Sequence, residues 1–252
     1  MRALAAAIAF LTTLPVPARC LGGKLASPAR MLLWWAPVGA LIGCLAAGIT
    51  WAAALVLPWV TCAALGVVAL VALSGGLHLE GLMDTSDGLG SRAPREKALE
   101  IMKDSRSGAF GVIAGACVLL LKFGVLAGMA PQTGLVAIAL APMLARVMQV
   151  VVMTAHPYAR PEGGMGGAFF VAAKVGHCVL GLVLCAVAAT AVDALIAGVH
   201  ANLAALGAVL VVSAWSVIPT RHLGGHTGDT IGATSELTEL ALFLALALLA
   251  HP

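Results

Sequence analysis

Charge is scarce in this sequence: Asp, Glu, Lys and Arg together make up 10% of the 252 residues, and only eleven residues are acidic. A soluble domain carries about 25% charged residues, so an ordinary water-facing surface is excluded. Aromatic residues are sparse too, at 5%. The basic residues are not interleaved with them, which removes the composition that a nucleic-acid groove needs. Six cysteines (Cys20, Cys44, Cys62, Cys117, Cys178, Cys185) are scattered with no CxxC and no Cys/His cluster. They read as small buried apolar residues, and neither a disulfide framework nor a zinc site is expected. His222 and His226 stand four apart, but Gly224 and Gly225 interrupt them and no HExxH pattern is present, so zinc is not expected there either. Internal repeats are absent, as is low complexity beyond richness in Ala, Leu, Val and Gly.

What is abundant is apolar surface, at 61% of the chain. That predicts an all-α polytopic membrane protein forming one integral-membrane domain over 1–252, with the lipid bilayer as its solvent. Apolar runs place seven spans at 31 to 57, 60 to 77, 109 to 130, 133 to 155, 177 to 198, 203 to 219 and 235 to 250. The N-terminal run from Ala3 to Leu14 is too short to cross a core about 30 Å thick. It is expected as an interfacial or re-entrant helix ended by Pro15 and Pro17. Arg19 before Cys20, and the positive charges after it, argue against a cleaved signal peptide.

Basic residues give the orientation. Arg2, Arg19, Lys24 and Arg30 precede the first span; Arg92, Arg95, Lys97, Lys103 and Arg106 lie between spans two and three; Arg160 and Lys174 lie between four and five; Arg221 follows six. Twelve of the 14 therefore fall on one side, which the positive-inside rule assigns to the cytoplasm. The other two, Lys122 and Arg146, fall within spans, where each costs about 2.5–3.5 kcal/mol unless it faces a polar cavity or pairs with an acid.

Six of the eleven acidic residues (Glu80, Asp84, Asp87, Glu96, Glu100, Asp104) crowd into residues 75 to 108. On a helix, Glu80, Asp84 and Asp87 stand at i, i+4 and i+7, within roughly 60° of one another. Three carboxylates on one face repel unless a cation neutralises them, and an all-oxygen set suits Mg²⁺. The plainer alternative is an acidic helix end wetted by solvent. Two further connections collect polar residues on the same side. HPYARPEGGMGG carries Tyr158, Arg160 and Glu162 ahead of four glycines, which suit a phosphate cradle or simply a flexible loop. RHLGGHTGDTIGATSEL leads from Arg221 into a helix opening near Thr227 or Asp229, an anion-binding geometry. Asp229 and Glu236, seven apart, share a helix face and either complete a metal site or serve as a cap and an internally bonded polar residue.

Clustered carboxylates, glycine-rich loops and several Arg and Lys residues point to Mg²⁺-dependent phosphoryl transfer. On residues alone, a cation transporter and a lipid phosphotransferase stay open. The stretches GGLHLEGLMDTSDGLGSR, EIMKDSRSGAFG, YARPEGGMG and GGHTGDTIGATSEL, with FLTTLPVP at the N-terminus, closely resemble the corresponding stretches of the cobalamin synthase family, the adenosylcobinamide-GDP ribazoletransferases. The order is the same over nearly the whole chain. Asp84-x-x-Asp87-Gly88-x-x-Ser91-Arg92 also resembles the first half of the CDP-alcohol phosphotransferase signature, whose second half is missing after Gly108.

The resemblance implies a bacterial inner-membrane enzyme with its site facing the cytoplasm. It would join α-ribazole, or its 5′-phosphate, to adenosylcobinamide-GDP and release GMP, with Mg²⁺ steadying the diphosphate. Glu80, Asp84, Asp87 and Asp104 would be metal ligands or, for one of them, the general base. Asp229 and Glu236 would complete the metal site or orient the attacking nucleoside. Arg106, Arg160 and Arg221 would hold phosphates, and His78, Arg92, Lys122, Arg146, Tyr158 and Thr227 would line the substrate site. The oligomeric state stays open, a homo-oligomer included.

Overall fold

The computed structural model describes residues 2–22, 26–160, 165–196 and 198–250, and leaves the Met165 side chain undescribed. Lys24, Glu162, Gly163 and Gly164 lie outside the described residues. The described chain is helical: α1 (Arg2–Leu11), α2 (Ala18–Leu21), α3 (Pro28–Leu32), α4 (Trp35–Ala54), α5 (Trp59–Ser74), α6 (Leu77–Gly90), α7 (Arg95–Ile101), α8 (Ala109–Gly128), α9 (Pro131–Ala155), α10 (Met165–Ala172), α11 (Val175–Leu195), α12 (Ala201–Trp215), α13 (Val217–Leu223) and α14 (Gly228–Ala250).

Six helices or continuous helix pairs are long and apolar enough to cross a membrane: α4, α8, α9, α11, α12 with α13, and α14. The pair α5 and α6, apolar enough together but bent by 90°, makes a seventh crossing when counted as one broken span. The bend falls at Gly75 and Gly76, whose φ values of +64° and +71° are left-handed, a region glycine enters without a Cβ penalty. Six of the seven expected spans coincide with these helices, and the expected 60 to 77 span falls on α5 of the bent pair, with two further changes. The last begins at Gly228 rather than 235, and the first splits into α3 and α4 around Leu33 and Trp34. The N-terminal helix, ten residues long, ends at Leu11, and Thr13 ties its end to α5 through an N–H···O=C bond to Leu73 of 2.9 Å.

Helix α9 is the axis of the bundle: 78% of its span is buried, against 11% for the peripheral α11. Its closest neighbour is α4, because Gly39 and Gly43, four apart, let the α4 backbone lie against Ala139 and Pro142 of α9. This is the small-residue packing that substitutes for hydrophobic force in lipid. On the other flank α14 packs against α9, α6 and α12. Alternating crossings gather the 91–108 and 224–227 connections, residues 156–160 and α10 at one end of the bundle, together with α1 to α3.

Candidate active site

The site is built where α6 meets the start of α14. Gly81 and Gly232 make the approach possible: a Cβ on Gly81 would lie 2.7 Å from the Asp229 carbonyl oxygen, and one on Gly232 would lie 3.2 Å from the Gly81 Cα. With no side chains between them the two backbones touch, and Glu80 and Asp84 come to line one cavity with Asp229. Gly81→Val is expected to cost about 1–3 kcal/mol of stability by overpacking. The melting temperature of detergent-purified protein checks this.

Asp229 is positioned by three loops acting together. Thr227 caps α14, its Oγ1 accepting the N–H groups of Asp229 and Thr230 at 3.2 and 3.3 Å. A short parallel bridge pairs Tyr158 with His226, with Ala159 N–H donating to the His226 carbonyl at 2.8 Å and His226 N–H donating to the Pro157 carbonyl at 2.9 Å. That pairing needs Gly225, where φ is +152° and any Cβ would strike the Pro157 carbonyl. Arg95 of α7 clasps both loops, donating to the Leu223 carbonyl at 2.7 Å and the Ala159 carbonyl at 2.9 Å. Arg160 is thereby set 2.7 Å from Asp229 Oδ2. His226 is structural: buried, its Nε2–H donates to the Ser216 carbonyl at 3.0 Å. Burial, with His156 nearby, pushes its pKa down to about 4, so it stays neutral.

The cavity enclosed by these elements measures about 470 Å³. Its lining combines a polar set, Glu80, Asp84, Asp229, Arg160, Lys103 and His78, with an apolar and aromatic set, Phe10, Trp35, Met153, Phe169 and Phe170. Tyr158 also lines it, and of the four glycines that follow it Gly166 and Gly167 fall within the described residues. Gly166 and Gly167 allow α10 to lie on the Tyr158 ring, since a Cβ on either would come within 3.4 Å of that side chain. A second cavity of about 330 Å³ lies beside the first, lined by Gly75, Gly76, Asp104, Ser105 and Ser107. Glu80 and Asp84 belong to the walls of both.

Not every residue expected at the site is brought there. Asp87 turns from Asp84 toward α8: its two carboxylate oxygens accept the N–H groups of Gly108 and Gly111, each at 2.8 Å. It is an anion seated on a helix N-terminus. Asp87→Asn, which keeps a single acceptor oxygen, is expected to cost about 1–3 kcal/mol, read as a lowered thermal midpoint. Asp104 is exposed and paired with Arg106 at 2.8 Å, whose hydrogen bonds hold its pKa down to about 2. Arg92, with φ of +52°, and Arg221 are exposed and do not line the main cavity.

Glu236, Lys122 and Arg146 form a separate cluster deeper in the bundle. Lys122 Nζ stands 2.7 Å from both Glu236 and Glu239, and Arg146 reaches Ser235 Oγ at 2.6 Å and Glu239 at 3.5 Å. All four charged side chains are at most 6% exposed. The two cations thus neutralise two acids rather than line the cavity. Glu236 is two turns from Asp229 on the same helix, and the Lys122 pair holds it away from the cavity. Sequence reasoning missed Glu239, Arg95 as a clasp, and the aromatic wall. The first stood three residues from Glu236 and opposite two unpaired intramembrane cations, a countable signal.

The whole chain can now be set beside known proteins. The family described as cobalamin-5-phosphate synthase matches residues 3–247. An adenosylcobinamide-GDP ribazoletransferase of Desulforamulus reducens is 39% identical over 243 residues, covering 95% of this chain and 94% of that protein. One from Klebsiella pneumoniae is 38% identical, covering 96% and 97%. One from Brevibacillus brevis is 34% identical, covering 98% of each. No solved structure is a significant match. The relatives are named as transferases, which leaves the cation-transporter reading without support. A helical membrane bundle with carboxylates and an arginine converging on one cavity, matched end to end by these proteins, belongs to the cobalamin synthase family of adenosylcobinamide-GDP ribazoletransferases.

Proposed function

We propose that this enzyme of cobalamin synthesis transfers the adenosylcobinamide-phosphate group of adenosylcobinamide-GDP to α-ribazole, or to its 5′-phosphate. The products are adenosylcobalamin, or its 5′-phosphate, and GMP. The observation that carries the reading is the convergence of Glu80, Asp84 and Asp229 on one cavity beside Arg160. A ribose hydroxyl forms a bond to the phosphorus bearing the cobinamide arm. The bond from that phosphorus to the bridging oxygen breaks, and the oxygen leaves with its electron pair on GMP. The hydroxyl proton passes to Asp84 and on to water. Asp84 suits this part because Asp229 is held by Arg160, whereas Asp84 makes no hydrogen bond or salt bridge among the described residues. Arg160 and Lys103 supply positive charge to the phosphates.

Magnesium fits the donor set. Glu80, Asp84 and Asp229 are hard oxygen donors lining the cavity. This ion is usually held by one or two carboxylates, waters and substrate phosphates rather than by a full protein cage. Among the described residues no three His, Cys, Asp or Glu side chains form a metal-holding group by themselves, so the reading needs the substrate diphosphate to complete the site. Glu80, Asp84 and Asp229 would hold the ion, which when bound would supply positive charge to the diphosphate and the departing GMP. The excess of basic residues at the site end supports an inner-membrane orientation with the cavity facing the cytoplasm.

The test is an assay of purified protein in liposomes with adenosylcobinamide-GDP and α-ribazole. GMP and a new corrinoid are expected to appear together, to stop with excess EDTA and to return with Mg²⁺. Turnover that survives EDTA would overturn the metal assignment. Absence of GMP from demonstrably folded protein would overturn the transfer itself, and a nucleotide-activated lipid head group would be assayed next.

A further inference from the structure

We infer that the aromatic lining of the main cavity is the subsite for the lower-ligand base, so that α-ribazole lies inside the cavity and the corrinoid outside it. This rests on the transferase reading above. Five aromatic rings from four separate elements meet there. Phe10 of α1, Trp35 of α4 and Phe169 of α10 form a triangle with centroids 5.9, 5.3 and 5.0 Å apart. Tyr158 and Phe170 form a second pair at 5.0 Å. In a chain with 5% aromatic residues this is a marked concentration. Phe10 and Phe170 are half-buried and line the cavity, so part of each ring faces the space a ligand would fill.

Three physical arguments select the occupant. The first is size: about 470 Å³ encloses a nucleoside-sized ligand, whereas a corrin macrocycle with its amide arms cannot be enclosed in it. The second is polarity. The Trp35 indole N–H is already given to Gln149 Oε1 at 2.9 Å, and Gln149 Nε2 to the Ile231 carbonyl at 3.3 Å. Guanine, with donors and acceptors along its edge, would leave them unpaired against this wall, and that is the strongest way a site rejects a ligand. A dimethylated benzimidazole has two apolar faces, an apolar edge and no N–H in its nucleoside. The third is position: Glu80 and Asp84 form the partition between this cavity and the second one, whose wall adds Asp104, Ser105 and Ser107. A nucleoside against the aromatic set and a diphosphate against the polar set would meet at those carboxylates.

The N-terminal helix, too short to cross the bilayer, thereby acquires a role. It brings Phe10 and Leu11 onto the cavity wall, and Thr13 fixes its end to α5.

The experiment compares steady-state kinetics of wild type, Phe10→Leu and Phe170→Leu, varying α-ribazole and adenosylcobinamide-GDP separately. Leucine keeps an apolar wall and removes the stacking surface, and Phe110→Leu, a residue 54% exposed and outside the cavity lining, is the control. The KM for α-ribazole is expected to rise about tenfold in each cavity variant, as for loss of one base–aromatic stack, with the KM for adenosylcobinamide-GDP unchanged. A wild-type comparison with the nucleoside of unmethylated benzimidazole should show kcat/KM lower by about fourfold per methyl removed. An unchanged α-ribazole KM, or a rise confined to the corrinoid substrate, would overturn the subsite while leaving the transferase reading intact. Failure of wild type to make GMP would overturn that reading instead.

Discussion

Lys122→Met is expected to destabilise the protein by about 3–5 kcal/mol, the cost of leaving buried charge without its partner. Lys122 Nζ bridges Glu236 and Glu239 at 2.7 Å each, and the remaining cation, Arg146, reaches Glu239 only at 3.5 Å. Without the lysine, two carboxylates on adjacent turns of α14 face each other in the bundle interior. The double variant Lys122→Met with Glu236→Gln removes one charge of each sign and leaves Arg146 to answer Glu239, so it should recover most of the loss. Thermal melting in detergent reads both variants. Equal melting temperatures for wild type and Lys122→Met would show that the cluster holds nothing together. Because α8 carries Gly111, which follows Gly108 at its start, and α14 carries Asp229, the same clamp fixes the two helices on which the carboxylates of α6 depend.

Asp84→Asn is expected to lower kcat by about 100-fold or more, the range for loss of a positioned general base, with little change in melting temperature. Asp84 is partly exposed to the cavity and holds no salt bridge among the described residues, so no structural partner is lost. Asp104→Asn should lose less. Its pair with Arg106 is solvent-exposed, where water and salt screen the attraction. Asp87→Asn should show the reverse pattern, a stability loss first. The three neighbouring Asp residues are thus separable by experiment: one for chemistry, one for the α8 terminus, one at the rim.

Much of this was legible in the sequence because hydropathy and charge report on lipid directly. The six spanning helices, the side on which polar connections gather and the shared face of Glu80 and Asp84 all follow from spacing. The parts that were hidden have particular causes. The helix from Gly228 reads as polar over GDTIGATSEL, yet Thr230, Thr234, Ser235 and Thr238 are fully buried. Thr234 and Thr238 return their hydroxyls to carbonyls one turn back, at 2.8 and 2.6 Å, so the helix satisfies itself without water. Asp87 and Asp84 differ by three positions, and spacing cannot reveal that two glycine amides at the start of another helix capture one of them. The Gly75–Gly76 pair could be read as an ordinary span end, and its left-handed angles turn it into a right-angled break. The aromatic wall had no local signature, since its rings come from α1, α4, the 156–160 loop and α10.

The most direct test of the central claim is the dependence of GMP release on α-ribazole, measured with wild type and Asp84→Asn in the same liposomes. The account predicts that wild type releases one GMP for each α-ribazole consumed and essentially none when the nucleoside is omitted, while Asp84→Asn releases almost none in either case. GMP formed at the full rate without α-ribazole, or by Asp84→Asn as fast as by wild type, would contradict a transfer reaction centred on this cavity.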